Sequence, residues 1–386
     1  MVDTVGSRWP HARLEGLSTS RYVFGAVAAA FLLTACAQTS VSTSVPPAGQ
    51  TASATAGASA SDSAPATPAP PVDPAPRTPW YAWVLPAPHP TLSLTALAHL
   101  TAEYPIPGNP AKVVLPPGTA PPVTTPAGGW LPGHRIVAYY GNPRAPVMGI
   151  LGQYPAPEMI AKLRAQAAVY QRLAPKVPIQ LALDLVADVA QGSAGYNNLY
   201  VQRMSYSLIE QELAIARDHG LLLMLDIQLG RSTVQQQLPY FAPFLDQPDV
   251  EIALDPEFAM GPGQTPGVEV GSMSASQINW AINYVAGQVR EYHLPPKIFV
   301  VHQWLPSMIT NWQEIHPMPG IQFVVDQDGV GNPGRKIGNY IAFVQDRPIQ
   351  PARYGGFKLF YQSDTPLMTP AQVLALQPSP LLIMYQ

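Results

Sequence analysis

The chain has 386 residues with 46 prolines, only 12% charged residues and a formal net charge of −3. This length accommodates one large domain or two ordinary ones. The weak negative charge and the lack of any lysine or arginine run argue against a nucleic-acid-binding protein. The single cysteine, Cys36, excludes an intrachain disulfide framework and any cysteine-based zinc site.

The first 35 residues have the pattern of an export signal. Three arginines are followed by an apolar run over residues 22–33 that is too short to span a bilayer comfortably. The run ends in Leu33-Thr34-Ala35-Cys36, which resembles the lipobox of bacterial lipoproteins. The resemblance implies that residues 1–35 are a removable signal peptide and that Cys36 carries a lipid such as palmitate. We therefore expect anchoring to the cell membrane on its extracytoplasmic face; a plain secretory signal with a chance cysteine is the alternative.

Two proline-rich segments follow the signal. Residues 36–77 consist mainly of Ser, Thr, Ala, Pro and Gly, so they bury too little apolar surface to fold and predict a disordered tether. Residues 78–134 are also dense in proline but contain tryptophans and a possible short helix at 92–104. We expect this second segment to form a collar that packs on the main domain.

From residue 135 onward, apolar strand-like runs alternate with helical patterns. The predicted strands are Arg135–Tyr140, Ile179–Asp184, Leu221–Ile227, Val250–Asp255, Lys297–Gln303, Ile321–Asp326, Gly356–Tyr361 and Leu381–Tyr385. The predicted helices lie near 157–173, 203–218, 234–245, 274–292, 307–316, 335–346 and 369–377. Such alternation indicates parallel strands joined by right-handed crossovers.

Eight strands in about 250 residues are the count and size of a (β/α)8 TIM barrel, so we assign residues 135–386 to this α/β fold. A doubly wound open sheet is the alternative, but the first strand is not followed by the glycine-rich phosphate loop expected there. The sequence ends directly after the eighth strand, and we hypothesise that the 92–104 helix covers the position of the missing last helix.

Acidic residues finish four of the eight predicted strands: Asp184, Asp226, Asp255 and Asp326. Counting back by twos from these acids gives mostly small residues, whereas the alternate positions are mostly Leu, Ile or Phe. Since bulky side chains suit the helix-facing side, the acids are predicted to point into the barrel mouth. The expected mouth set, with neighbouring polar and aromatic residues, is Tyr140, Asp184, Asp226, Asp255, Glu257, His302, Gln303, Trp304, Asp326, Tyr361 and Tyr385.

Clustered carboxylates favour acid–base chemistry. When acids lie close together one pKa rises, so that one group can donate a proton while its ionised neighbour acts as base or nucleophile. Glycoside hydrolysis needs this division of roles, and sugar rings also stack on aromatic side chains. Asp328 and Asp364 lie in turn-like sequence and are interpreted as turn formers.

The chain resembles glycoside-hydrolase barrels in its layout and in Asp255-Pro256-Glu257, since several such families place an Asp-x-Glu pair at the end of strand four. The resemblance implies Glu257 as the proton donor and Asp255 as its modulator. Many of these families also have a glutamate at the end of strand seven, where this chain has Tyr361 and Gln362. Asp326 is therefore our candidate for the base or nucleophile.

The predicted function is a lipid-anchored, glycoside-hydrolase-like protein that cleaves an envelope or environmental polysaccharide. It is expected to be monomeric, to contact the membrane through Cys36, and to need no cofactor or metal. Two alternatives stay open. One is a non-catalytic glycan-binding lipoprotein. The other is a lyase or hydrolase whose divalent metal is held by Asp226, Asp255, Glu257, His302 and Asp326.

Overall fold

The computed structural model describes residues 112–195, 198–347 and 353–386. The signal peptide, the tether, Cys36 and the predicted 92–104 helix lie outside these residues. No helix in the described ranges is both long and apolar enough to cross a bilayer.

Eight parallel strands close into a barrel. They are β1 (Arg135–Gly141), β2 (Ile179–Ala190), β3 (Leu222–Ile227), β4 (Val250–Leu254), β5 (Lys297–Gln303), β6 (Ile321–Gln327), β7 (Tyr354–Leu359) and β8 (Leu382–Tyr385). Each strand pairs with the next one along the chain, and β8 pairs with β1 to complete the ring. The barrel prediction is confirmed, and the open doubly wound sheet is excluded.

Helices follow most of the strands on the outside of the ring. They are α1 (Ala156–Leu173), α2 (Tyr206–Asp218), α3 (Val234–Leu245), α4 (Ala275–Glu291), α5 (Pro333–Tyr340) and α6 (Pro370–Leu374). The helix predicted near 307–316 is wrong, because a two-residue strand, Ile309–Thr310, interrupts it and pairs with Met273–Ser274. Asn311 then adopts a left-handed backbone with φ 55°, which ends any helical continuation.

Helix α4 shows how local sequence fixes these elements. Ser274 is its N-cap, and its side chain accepts from the backbone N–H of Gln277 while Gln277 bonds back to the Ser274 N–H. This capping box satisfies two otherwise unpaired donors of the first turn. Ile278 and Ile282 belong to the apolar stripe that the helix buries against the sheet.

Strand β2 runs six residues further than predicted. Its far end pairs antiparallel with a short strand, Val201–Arg203, and Asp188 lies 3.4 Å from the Arg203 guanidinium. Asp184 therefore lies within β2 and not at its end, contrary to the sequence prediction. Its side chain nevertheless points into the barrel mouth, because the alternation of sides was correctly assigned.

Residues 112–134 contact the opposite, amino-terminal end of the barrel. The Leu131 backbone N–H donates to Gln322 Oε1 over 3.1 Å, and Gln322 Nε2 donates back to the Leu131 carbonyl. Trp130 and Leu131 are buried. Because Gln322 is the second residue of β6, this segment closes the barrel floor away from the mouth.

Inward-facing side chains between floor and mouth are apolar and fully buried: Ala138, Ala182, Met224, Ala253, Val300 and Val324. Polar groups above them therefore have a low-dielectric layer beneath, in which charge interactions are stronger than in water.

Candidate functional site

A polar cluster lies at the barrel mouth, drawn from strands β1 to β7 and the residues that follow them. We call it the mouth cluster: Tyr140, Asp184, Asp226, Gln228, Asp255, His302, Asp326, Asp328 and Lys358, all buried. Four of its five aspartates are those that finish predicted strands. Counting by twos along each predicted strand therefore identified most of the acids that the barrel brings together.

His302 is the centre of the mouth cluster. Its Nδ1 lies 2.9 Å from Asp326 Oδ2, and its Nε2 lies 3.5 Å from Asp226 Oδ2 and 4.0 Å from Asp255 Oδ1. Burial opposes a charge on the imidazole, but Asp255, Asp226 and Asp326 outweigh it and raise the pKa of His302 well above its usual range. The ring is thus fixed between carboxylates on both sides.

The position of Asp326 depends on a neighbouring glycine. Register places Asp326 between His302 on β5 and Gly356 on β7. A Cβ atom at position 356 would lie 2.5 Å from Asp326 Oδ1. Glycine therefore leaves the space that the carboxylate occupies.

Asp255 is held by two hydrogen bonds on one oxygen. Gln228 Nε2 donates to Oδ2 over 2.9 Å and the Tyr140 hydroxyl donates to the same oxygen over 3.4 Å. Oδ1 has no hydrogen-bond partner among the described residues. Burial and the nearby Asp226 raise the pKa of Asp255 to about 7, so it can exchange a proton near neutral pH.

Lys358 is a buried cation that the sequence analysis missed. Its Nζ lies 3.3 Å from Asp328 Oδ1 and 3.5 Å from the centroid of the Tyr140 ring. Burial opposes its charge, but Asp328, Asp255 and further acids raise its pKa above the usual range. The sequence does contain a signal for it. Lys358 is a single lysine in an apolar strand, and it lies two residues after Gly356, at a position that faces inward.

The two acids interpreted as turn formers have different environments. The interpretation is wrong for Asp328, which is an ion-pair partner in the mouth cluster. Asp364 instead accepts from the backbone N–H groups of Gly331 and Phe360 and pairs with Lys336 at 2.9 Å. Asp364 therefore organises loops beside the mouth, which agrees with its predicted role.

Glu257 lies at the lip of the mouth, in a 3₁₀ turn over Pro256–Phe258. Its side chain is half-buried, unlike the aspartates of the mouth cluster, and Oε2 has no hydrogen-bond partner within the described ranges. Burial, Asp255 and Asp328 raise the pKa of Glu257 well above its usual range. Its surroundings thus favour the protonated carboxyl over the carboxylate.

Four residues of the expected mouth set, which we also expected to bind substrate, do not join the mouth cluster. Gln303 donates to the Leu305 carbonyl and accepts from Arg347, and Trp304 is half-buried with its carbonyl accepting from Asn339. Tyr361 and Tyr385 stack on each other outside the strand ring, with ring centroids 4.9 Å apart. The two tyrosines lie at positions that alternate with those of the acids, so their side chains point to the other side of the barrel wall.

A cavity of about 650 Å³ opens beside these tyrosines, between the carboxyl ends of β1, β7 and β8 and the middle of α1. Its lining includes Tyr139, Tyr154, Lys162, Gln166, Tyr361, Gln362 and Gln386. Aromatic faces and amide groups suit a polar ligand such as a sugar. Among the described residues, no carboxylate side chain lines the cavity, which separates it from the mouth cluster.

Two trios in the mouth cluster have the composition of a metal site. In each trio, one donor atom per residue lies within 4.8 Å of the others: Asp184 with Asp226 and His302, and Asp255 with His302 and Asp328. The arrangement can therefore move protons between carboxylates or hold a divalent cation.

Comparison with known proteins does not place the chain in a family. No protein-family model matches it, and no curated protein sequence matches it.

Proposed function

We propose that this protein is a lipid-anchored, extracytoplasmic glycan hydrolase that uses carboxylate acid–base chemistry at the barrel mouth. The observation that carries the proposal is Glu257, a half-buried acid at the lip whose pKa is raised by burial and by the neighbouring Asp255. A carboxyl group with a raised pKa beside other carboxylates is what a glycosidase uses as its general acid. The resemblance of Asp255-Pro256-Glu257 to glycoside-hydrolase barrels supports the same role.

In this mechanism Glu257 donates its proton to the glycosidic oxygen as the bond breaks. Asp255 modulates it through their electrostatic coupling, and Asp326 acts as base or nucleophile, oriented by the His302 ring at 2.9 Å. Asp326 has no exposed surface, so its direct action on substrate requires the mouth to open.

Sugar binding is proposed for the cavity between β1, β7 and β8. Tyr361 is 37% exposed there and offers a ring to a sugar face. The amide groups of Gln166 and Gln362 supply donors and acceptors for hydroxyl groups. Because β8 lies opposite β4 in the ring, a glycan bound there and extending to Glu257 crosses the mouth.

The second candidate is a glycan-binding lipoprotein without catalysis. The observation that favours it is the separation of the aromatic cavity from the acids, together with the complete burial of Asp226 and Asp326. A binder needs the cavity alone, whereas the enzyme needs both regions.

The deciding experiment incubates the full-length protein with a panel of neutral and envelope glycans and measures new reducing ends and binding in parallel. Glu257→Gln should lower turnover by roughly 100-fold or more while binding is retained, since general acids contribute 10²–10⁴. Glu269→Gln is the matched control, because Glu269 is exposed in the loop that follows Glu257. Binding by the wild type without release of reducing ends would reject the hydrolase and support the binder.

The anchor has its own test. Cys36→Ser should move the protein from the membrane fraction to the aqueous phase, and mass spectrometry of the wild type should find acyl chains on Cys36. An unmodified Cys36 in membrane-associated protein would contradict lipid anchoring.

A further inference from the structure

Asp184 and Asp226 are two acids of the mouth cluster whose carboxylates lack hydrogen-bond partners in the described part of the chain. Both side chains are fully buried, and none of their four carboxylate oxygens has a hydrogen-bond partner among the described residues. An isolated buried carboxylate costs several kcal/mol, so such groups are normally paired, protonated or bound to a metal.

The other groups of the mouth cluster are already engaged elsewhere. Lys358 pairs with Asp328, and Gln228 and Tyr140 donate to Asp255. In the described ranges, the nearest cationic group to Asp226 is the His302 ring, with Nε2 at 3.5 Å from Oδ2.

The orientation of His302 is that of a metal ligand. Nδ1 lies at hydrogen-bond distance from Asp326, and Nε2 points towards Asp226 without a hydrogen bond to any described residue. Histidine ligands in metalloproteins usually donate their second ring N–H to a carboxylate, which fixes the tautomer and directs the free nitrogen at the metal. Asp326 fills that supporting role here.

The distances allow one ion to reach all three residues. Donor atoms of Asp184, Asp226 and His302 lie within 4.8 Å of one another. Some point is therefore within about 2.8 Å of all three, compared with bonds of roughly 2.0–2.2 Å that Zn²⁺ forms to nitrogen and carboxylate oxygen. Side-chain shifts of less than about 1 Å close the difference.

We propose that Asp184, Asp226 and His302 bind a divalent transition-metal ion of the Zn²⁺ or Mn²⁺ class, with Asp326 as the positioning residue for His302. Two carboxylates and one imidazole favour these ions over Mg²⁺ or Ca²⁺, which prefer oxygen ligands alone. Three protein ligands leave a coordination position for water or a substrate oxygen. The proposal replaces the sequence-based expectation that no metal is bound.

The second trio, Asp255, His302 and Asp328, is the weaker candidate. Its carboxylates already have partners, because Lys358 lies 3.3 Å from Asp328 and Gln228 donates to Asp255. A cation there would have to compete with the lysine, and the first trio has no such competitor.

The test measures metal binding directly on the full-length protein after removal of metals with a chelator. Calorimetric titration with ZnCl₂ and MnCl₂ should show one site per chain, and saturation should raise the melting temperature, because a ligand that binds only the folded state stabilises it. Asp184→Asn and Asp226→Asn should each weaken binding by roughly 100-fold or more, since even changes behind the ligands cost 10–100-fold.

Asp328→Asn is the matched control. It removes the same charge from the same cluster but leaves the three ligands in place, so its affinity should fall clearly less than that of either ligand variant, even though Asp328 Oδ2 lies 3.8 Å from His302 Nδ1. Circular dichroism verifies that each asparagine variant is folded, and two independent ligand variants keep the test decisive if one fails to fold.

Two results would overturn the proposal. One is a wild type that shows neither binding heat nor a melting shift with either metal, as expected if protons alone neutralise the cluster. The other is an Asp328→Asn variant that loses as much affinity as Asp184→Asn, which would indicate diffuse attraction and not coordination. Neither measurement uses a glycan, so the metal site stands or falls separately from the proposed hydrolysis.

Discussion

Lys358 is the residue on which the electrostatics of the barrel mouth depend. Five buried aspartates surround it and His302, above an apolar layer. Ions in such surroundings lose several kcal/mol of hydration each, and only close opposite charges recover it. Lys358 balances the charge of Asp328, which follows β6, and its ammonium also lies over the neutral Tyr140 ring of β1.

Replacing Lys358 with methionine keeps most of the side-chain volume but leaves Asp328 without its cation. We expect Lys358→Met to lower the free energy of unfolding by about 3–5 kcal/mol at pH 7, as for other broken buried pairs. Urea denaturation measures the change.

The control is Lys162→Met, whose exposed lysine lies 3.7 Å from Glu158 on the surface of α1. Exposed pairs contribute about 0–1 kcal/mol, so this variant should stay near the wild type. Equal losses from both substitutions would show that Lys358 has no special electrostatic role.

Side-chain alternation explains which mouth residues were predictable. Asp226, Asp255 and Asp326 end apolar runs, and period-two counting gives their direction without any knowledge of partners. Lys358 and Asp328 were missed as a pair because they lie 30 residues apart and meet only after β6 and β7 align. Single-strand patterns carry no information about such a contact.

At the scale of elements, local sequence signals predicted where helices start. Strands that form only by pairing with a distant segment were not predicted. The starts of α4 and α6 follow from capping boxes at Ser274 and Thr369. The far end of β2 was missed because its partner, Val201–Arg203, lies beyond a loop and pairs with it antiparallel. The same holds for Ile309–Thr310, whose strand exists only through Met273–Ser274.

Ser274→Ala tests the contribution of a cap to α4. It removes the acceptor for the Gln277 N–H, and such losses cost about 1 kcal/mol. Thermal and urea unfolding should both show the decrease. Ser276→Ala is the control two residues along, since Ser276 is exposed and its hydroxyl contacts only the Ser274 hydroxyl among the described residues. If Ser274→Ala and the wild type were equally stable, the capping box would not be what fixes the start of α4.

At the scale of the whole molecule, buried acids are not confined to the mouth. Burial is the largest cause that raises the pKa of Asp188, Glu212, Glu251 and Asp255 to about 7 each. Unfolded aspartate and glutamate titrate near 4. Between about pH 4 and pH 7 the folded chain therefore binds more protons than the unfolded chain, and its stability falls as the pH rises.

Glu212 on α2 isolates this effect, because it is 8% exposed and burial alone raises its pKa. At pH 4 the protonated glutamate resembles glutamine, so Glu212→Gln and the wild type should have similar stability. Above pH 7 the wild type must bury a charge that the variant lacks. The variant should then be more stable by about 3–3.5 kcal/mol, since each pKa unit corresponds to about 1.4 kcal/mol.

Urea denaturation of both proteins from pH 4.5 to pH 8 measures this difference. Glu158→Gln, at an exposed position of α1, should give a difference that changes by less than about 0.5 kcal/mol over the same range. The wild type itself should melt at a lower temperature at pH 8 than at pH 5, the reverse of a protein whose acids are stabilised by ion pairs. A Glu212→Gln difference that stays flat with pH would mean that Glu212 is ionised in the folded chain at pH values well below 7.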